Sequence, residues 1–279
     1  MVTRESIACS PRARCRFDDD ELASDGRRGG DANQVMAVVT PQRFFTEPTI
    51  GYWQELTHEV PPRFANEPPF RFGYPVRLPD SRVLVLPLRE LPKGDTAVAS
   101  LIANQASNAV VAALADHMAL LARAFDAELV IGLPTLGLAF AALVAERLGH
   151  SRYVPLGYSR KFWYDDSLSE PVSSITSPGA EKRLRLDPNL LPLLENRRIV
   201  LVDDAISTGA TVIAAVHLLQ RVGARIAGIA VAMKQTNRWE AVTATLPCAL
   251  TVRAVFGCPL FHRGDDGWWP ASETQPEIP

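Results

Sequence analysis

Cysteine is scarce in this chain: 279 residues hold only Cys9, Cys15, Cys248 and Cys258, and no two of them form a C-x-x-C pair. That usage argues against a disulfide framework or a thiolate metal site and points to a reducing cytoplasm. The five histidines show no metal-ligand spacing. There is no G-x-x-x-x-G-K-[ST] loop, no G-x-G-x-x-G at a strand end and no G-x-S-x-G elbow, which removes the usual nucleoside triphosphatase, dinucleotide and serine-hydrolase readings. Charge of one sign is lacking too. A formal net charge of −2 gives no reason to expect nucleic acid as a partner. Long apolar runs are absent: the longest apolar region, 97 to 125, is broken by Asn104, Gln105, Asn108, Asp116 and His117, which are costly in lipid. No secretory signal precedes it, and no membrane partner is expected.

What remains is an ordinary globular composition, 47% hydrophobic and 22% charged, long enough for a full core. Residues 1 to 38 mix Arg12, Arg14, Arg16, an acidic run from Asp18 to Glu21 and Arg27-Arg-Gly-Gly30, and read as a disordered tail. Patterned sequence begins just after Met36, an alternative point for translation to start. Residues 39 to 279 read as the folded domain, with a core over 96 to 235.

Within it, Arg71 to Leu78 and Arg82 to Leu88 flank Pro79-Asp80-Ser81 and predict a hairpin. A helix is expected over about 96 to 124, a strand at Leu129 to Gly132, a helix from Leu138 to Leu148 stopped by Gly149, and a strand at Tyr153 to Leu156. The polar, Ser- and Pro-rich segment from Gly157 to Ala180 reads as a functional loop, with Lys182 to Leu186 returning as a strand. Strands follow at Ile199 to Val202, Ile226 to Met233 and Thr251 to Phe256; the last is placed in a tail that folds back on the N-terminal flank. This alternation predicts an α/β fold, a central mostly parallel sheet with helices on both faces.

The organising stretch is Ile199-Val-Leu-Val-Asp-Asp-Ala-Ile-Ser-Thr-Gly-Ala-Thr211. A strand buried on both faces ends in two carboxylates, Asp203 and Asp204, at the sheet end where ligands of parallel sheets gather. Two adjacent acids suit a sugar diol or a shared cation. The loop then opens a helix, whose free N–H groups and dipole favour an anion, with Gly209 allowing close approach and Ser207, Thr208 and Thr211 offering hydroxyls.

This stretch resembles the phosphoribosyl pyrophosphate motif of the type I phosphoribosyltransferases. The resemblance implies that Asp203 and Asp204 hold the ribose hydroxyls, and that Ala205, Ser207, Thr208, Gly209, Ala210 and Thr211 cradle the 5′-phosphate. Ile131-Gly-Leu-Pro-Thr-Leu-Gly137 resembles the pyrophosphate loop of adenine enzymes, with N–H groups from Thr135, Leu136 and Gly137. Tyr153-Val-Pro-Leu-Gly-Tyr-Ser-Arg-Lys161 resembles the entry to the mobile loop of adenine and xanthine enzymes, which makes Arg160 and Lys161 the cations for pyrophosphate.

The family implies Mg2+ held mainly through substrate, with Asp203 and Asp204 as the candidate protein ligands, a nucleobase acceptor, a hood built from the chain's flanks, and a homodimer. Departures leave the base open: Pro134, Thr135 and Leu136 stand where adenine enzymes carry an acid or an arginine, Ser177-Pro-Gly179 supplies no Glu, and Ser207 stands where hypoxanthine-guanine enzymes place an aspartate. Two readings follow, a purine phosphoribosyltransferase of nucleotide salvage or a non-catalytic regulator that keeps the donor site.

Overall fold

The computed structural model describes residues 47–172, 182–246 and 250–278. The predicted tail, Met36, Cys9, Cys15, Cys248 and Ser177-Pro-Gly179 lie outside the described residues. Residues 43 to 279 form one compact unit.

The predicted hairpin is present as β1 (Gly73–Arg77) and β2 (Val83–Glu90), antiparallel with Arg77 opposite Val83. Its turn is held by Asp80, whose carboxylate accepts from Arg82 N at 3.1 Å and Nε at 2.8 Å. The helix expected from residue 96 does not start there. Thr96–Ala99 is a strand, β3, with Ala97 and Ala99 fully buried and Thr96 and Val98 less so, a period of two that suits a pleat. The helix α1 runs Asn108–Arg123, capped by Ser107, whose hydroxyl accepts from Val110 N at 3.2 Å.

Strand and helix then alternate: β4 (Leu129–Gly132), α2 (Leu138–Arg147) and β5 (Val154–Pro155). In the segment expected to be only loop, β6 (Ser169–Pro171) pairs antiparallel with β7 (Arg183–Arg185). Its anchors are Leu168 and Ser169, both buried despite the polar surroundings. After them come β8 (Arg198–Ile206), α3 (Ala210–Arg221), β9 (Arg225–Gln235), the short α4 (Arg238–Thr243) and β10 (Val252–Cys258).

The central sheet has the order β10-β9-β8-β4-β5 and is parallel throughout. The strand at 252 was expected in the returning tail; it instead closes this sheet beside β9, because Val252, Ala254, Val255 and Phe256 are apolar enough for burial on both faces. Val130, Val200 and Val202 pack with α1 and α2, whereas Leu129, Ile131, Ile199 and Leu201 face α3. Helices therefore cover both faces, as the alternation predicted.

A second sheet is antiparallel and drawn from both ends of the chain. β11 (Leu260–Arg263) and β12 (Trp268–Ala271) join β3, giving the order β1-β2-β3-β11-β12. Phe261 and Trp268 are fully buried, and Tyr74 meets the edge of Phe261 with ring centroids 4.9 Å apart. Burying each such aromatic contributes about 1.5–3 kcal/mol, which fixes the C-terminal flank onto the N-terminal one. No helix among the described residues is long and apolar enough to cross a membrane.

Candidate functional site

The site begins where the sheet loses a neighbour. Pairing of β8 with β4 stops at Gly132 opposite Val202, while pairing with β9 continues through Asp203 opposite Val231 to Ile206 opposite Lys234. The acid pair thus lies inside the strand, and the space beyond β4 is taken by the loop 133–137. Gly137 in that loop presses on Asp203: a Cβ at 137 would sit 2.6 Å from Asp203 Oδ1 and 2.7 Å from its Cα. Close approach, not an unusual backbone angle, requires glycine here.

Asp203 is buried, with Oδ1 accepting from the Asp204 amide at 2.9 Å and the carboxylate also accepting from the Gly137 amide. Burial first, then the neighbouring Asp204 charge, pushes its carboxyl well above the usual range, against the pull of those two N–H groups. Asp204, half-buried, is raised by burial as well, and its hydrogen bond with Asp203 opposes the rise. Burial and the neighbouring charge both disfavour ionisation of Asp203, a cost that a hydroxyl or a cation beside the pair would offset.

Beside them, Asp203 and residues 205 to 212 line a cavity of about 140 Å3. Gly209 adopts φ 78°, the left-handed geometry that turns the chain into α3, and the helix ladder starts with Ile213 N donating to its carbonyl. Ala205, Ser207, Thr208, Gly209, Ala210 and Thr211 are therefore brought together around one space, at a helix N-terminus whose first N–H groups have no partner within the helix. Trp239 of α4 backs the loop: a Cβ on Gly209 would lie 3.6 Å from the Trp239 Cβ.

The other expected residues divide. Thr135 is exposed, Gly137 is buried against Asp203, and Leu136 packs on the α1 side of the core, so its side chain is structural. The peptide between Pro134 and Thr135 is cis. Arg160 and Lys161 leave the carboxyl end of β5 and are exposed. Arg160 Nη2 is 3.0 Å from Asp166, which Arg185 also holds at 2.8 Å, so the described ion-pair partner of Arg160 is Asp166 and not the acid pair. Phe162 next to them is 97% exposed, its ring meeting Trp163 edge-on with centroids 4.8 Å apart, whereas Phe256 and Phe261 are core.

Two further residues stand beside the site. Lys234, which sequence left open between approaching the ribose or base and a solvated strand end, is 5% exposed; its Nζ donates to Glu277 O at 2.9 Å and lies 5.3 Å from the Trp239 ring centroid. Burial lowers its pKa, and the Glu240 and Glu277 charges oppose that shift. Its position directly after the apolar run of β9 was the available signal. Trp239, in a short polar helix, carried none.

The family model for the phosphoribosyl transferase domain matches residues 98–253, more than half of the chain. The chain belongs to the phosphoribosyl transferase domain family. The matched stretch of this phosphoribosyl transferase domain runs from within β3 into β10 and leaves β1, β2, β11 and β12 outside. An adenine phosphoribosyltransferase of Novosphingobium aromaticivorans is 36% identical over 120 residues, covering 42% of this chain and 61% of that protein. One of Mycobacterium avium is 33% identical over 133 residues, covering 45% and 63%. The chain thus spans about three-fifths of the length of these curated relatives. Among solved structures, adenine phosphoribosyltransferase of Saccharomyces cerevisiae, complexed with an imino-altritol bisphosphate and adenine, is similar with TM-score 0.48 at 18% identity, over 61% of this chain and 94% of that one. That of Rhodothermus marinus gives 0.47 at 16%, over 67% and 94%.

Proposed function

We propose that the protein binds phosphoribosyl pyrophosphate with Mg2+ and transfers its phosphoribosyl group to a nucleobase of the purine class in salvage. The observation that carries this reading is the acid pair Asp203–Asp204, of which the buried Asp203 lines one cavity with residues 205 to 212. The relatives named adenine phosphoribosyltransferases support purine as the acceptor class.

In this reading, Asp203 and Asp204 accept from the ribose hydroxyls, and the N–H groups of Ser207 to Thr211 with their hydroxyls hold the 5′-phosphate. Charge-assisted bonds of that kind contribute about 1.5–3 kcal/mol each. The loop 135–137, beyond β4, receives pyrophosphate on the other side of Asp203.

Mg2+ fits the donor set: it favours substrate oxygens and water with one or two carboxylates, and no group of three metal-type side chains occurs among the described residues. Asp203 and Asp204 are the residues that would hold it, and it would neutralise charge on the departing pyrophosphate. The acid pair, ionised, stabilises positive charge growing on the ribose as the bond to pyrophosphate breaks. Arg160 and Lys161 meet the leaving group once Arg160 exchanges Asp166 for phosphate, a swap between two exposed partners that costs little. The flank-built sheet serves as the hood, the acceptor enters at the end of β9, and a homodimer is the expected assembly.

The test is titration calorimetry of magnesium phosphoribosyl pyrophosphate on the wild type and on Asp203→Asn/Asp204→Asn, followed by a base panel. Binding abolished in the double variant, with pyrophosphate released for one base, is the expected result. Binding without release for any base would identify a regulator, and no binding would reject the donor site.

A further inference from the structure

Residues 273 to 278 cross the carboxyl ends of β9 and β10 and are tied down there by three hydrogen bonds. Asn237 Nδ2 donates to Glu273 O at 3.0 Å, Lys234 Nζ to Glu277 O at 2.9 Å, and Gln275 Nε2 to Gly257 O at 3.4 Å. Pro276 is buried, and a Cβ at Gly257 would lie 2.7 Å from its ring and 3.0 Å from Ile278. Lys234, Glu240, Glu277 and Ile278 surround a cavity of about 440 Å3.

Two points make this more than packing. Lys234 is one of the few buried charged groups, and the acceptor described for its ammonium is a main-chain carbonyl, which any ligand carbonyl or anion could replace. The position is also next to the donor site. Lys234 is in register with Ile206, one residue before the phosphate loop, and the Trp239 it overlies backs Gly209.

We propose that Glu273–Ile278 is an autoinhibitory strap, which satisfies Lys234 through the Glu277 carbonyl and must leave before a ligand can take that place on the ammonium. The proposal rests on the transferase reading for the identity of the ligand, the acceptor base, but not for the movement itself. A closed strap lowers apparent affinity by the fraction of molecules that are open, so a strap open in about one molecule in ten costs tenfold in acceptor affinity. Glu277 contributes its backbone oxygen, so side-chain replacement there leaves the strap closed; Asn237 and Pro276 are the handles.

The experiment uses the full chain and three variants, Asn237→Ala, Pro276→Gly and the pair. Lys234 acylation by a soluble N-hydroxysuccinimide ester is followed by peptide mass spectrometry. Labelling of Lys234 in the pair is expected to be about tenfold faster than in the wild type, with Lys93 and Lys161 unchanged as exposed controls. Equal labelling would overturn the strap. With labelling accelerated, the acceptor KM should fall several-fold while the KM for phosphoribosyl pyrophosphate and kcat hold; an unchanged or raised acceptor KM would show a passive wall and overturn autoinhibition. Should the wild type turn over no base, adenine, hypoxanthine and guanine are titrated calorimetrically in the presence of magnesium phosphoribosyl pyrophosphate. Failure of turnover alone rejects the transferase reading. Tighter binding of one base to the pair than to the wild type upholds the strap, and equal or absent binding rejects it.

Discussion

Asparagine at position 203 would copy the protonated form of the acid. It keeps the oxygen that accepts from the Asp204 and Gly137 amides and removes the charge that burial and the neighbouring Asp204 disfavour. The native carboxyl has a folded pKa raised by burial, so its contribution to stability is fully present below the ordinary carboxylate range and is lost as pH rises through the folded value. Asparagine carries no such loss. At about pH 7.5 the ligand-free Asp203→Asn protein should therefore be more stable than the wild type. Relieving a strained functional group gives about 0.5–2 kcal/mol. For a chain of this size 1 kcal/mol corresponds to about 2–4 °C in Tm. Differential scanning calorimetry without ligand, from about pH 7.5 down to about pH 5, measures it: the gap should narrow as pH falls, because protonation relieves the wild type too. The same variant should lose affinity for phosphoribosyl pyrophosphate. A variant less stable than the wild type at neutral pH, or a gap indifferent to pH, would refute the account of the pair as a functional site held at a cost.

Gly137→Ala puts a methyl against Asp203 Oδ1 and Leu133 O, both within 2.7 Å, where backbone must shift. Thermal unfolding should show a loss of about 1–3 kcal/mol, and pyrophosphate product inhibition should weaken. Arg160→Ala breaks an ion pair whose side chains are both 60% exposed. Its stability by denaturant titration should change by less than about 0.5 kcal/mol. Turnover should fall by about 10²-fold, as when one group stabilising developing charge is removed; equal turnover would assign the residue to the surface.

Much of this was legible because the signals were local. Val202-Asp-Asp204 followed by Ser207-Thr-Gly209 carries strand, acids, turn and helix start within ten residues, and strand β8, the turn at Gly209 and helix α3 stand where that order puts them, with Asp203 and residues 205 to 212 around one cavity. Residues 96 to 107 were misread because Thr96-Ala-Val-Ala-Ser-Leu-Ile-Ala is apolar in both helical and strand periods, and what decides is the pairing of β3 with β2 and β11. β10 was misplaced for the same reason: a short apolar strand does not say which neighbour it will have. Lys234 was ambiguous because its partner, Glu277 O, belongs to a segment distant in sequence and contributes no side-chain signal.

The antiparallel sheet drawn from both ends carries a consequence for how the chain is made. During synthesis β1, β2 and β3 emerge first and can form a meander, but the free edge of β3 must wait for β11, which is translated only after the whole central sheet. Nor can β9 gain its outer neighbour until β10 has left the ribosome. Two sheets therefore stay open-edged through most of translation, and an unpaired edge is a template for pairing with another nascent chain. Slowing translation between β9 and β12 should lower the yield of native protein more than slowing it between β1 and β3.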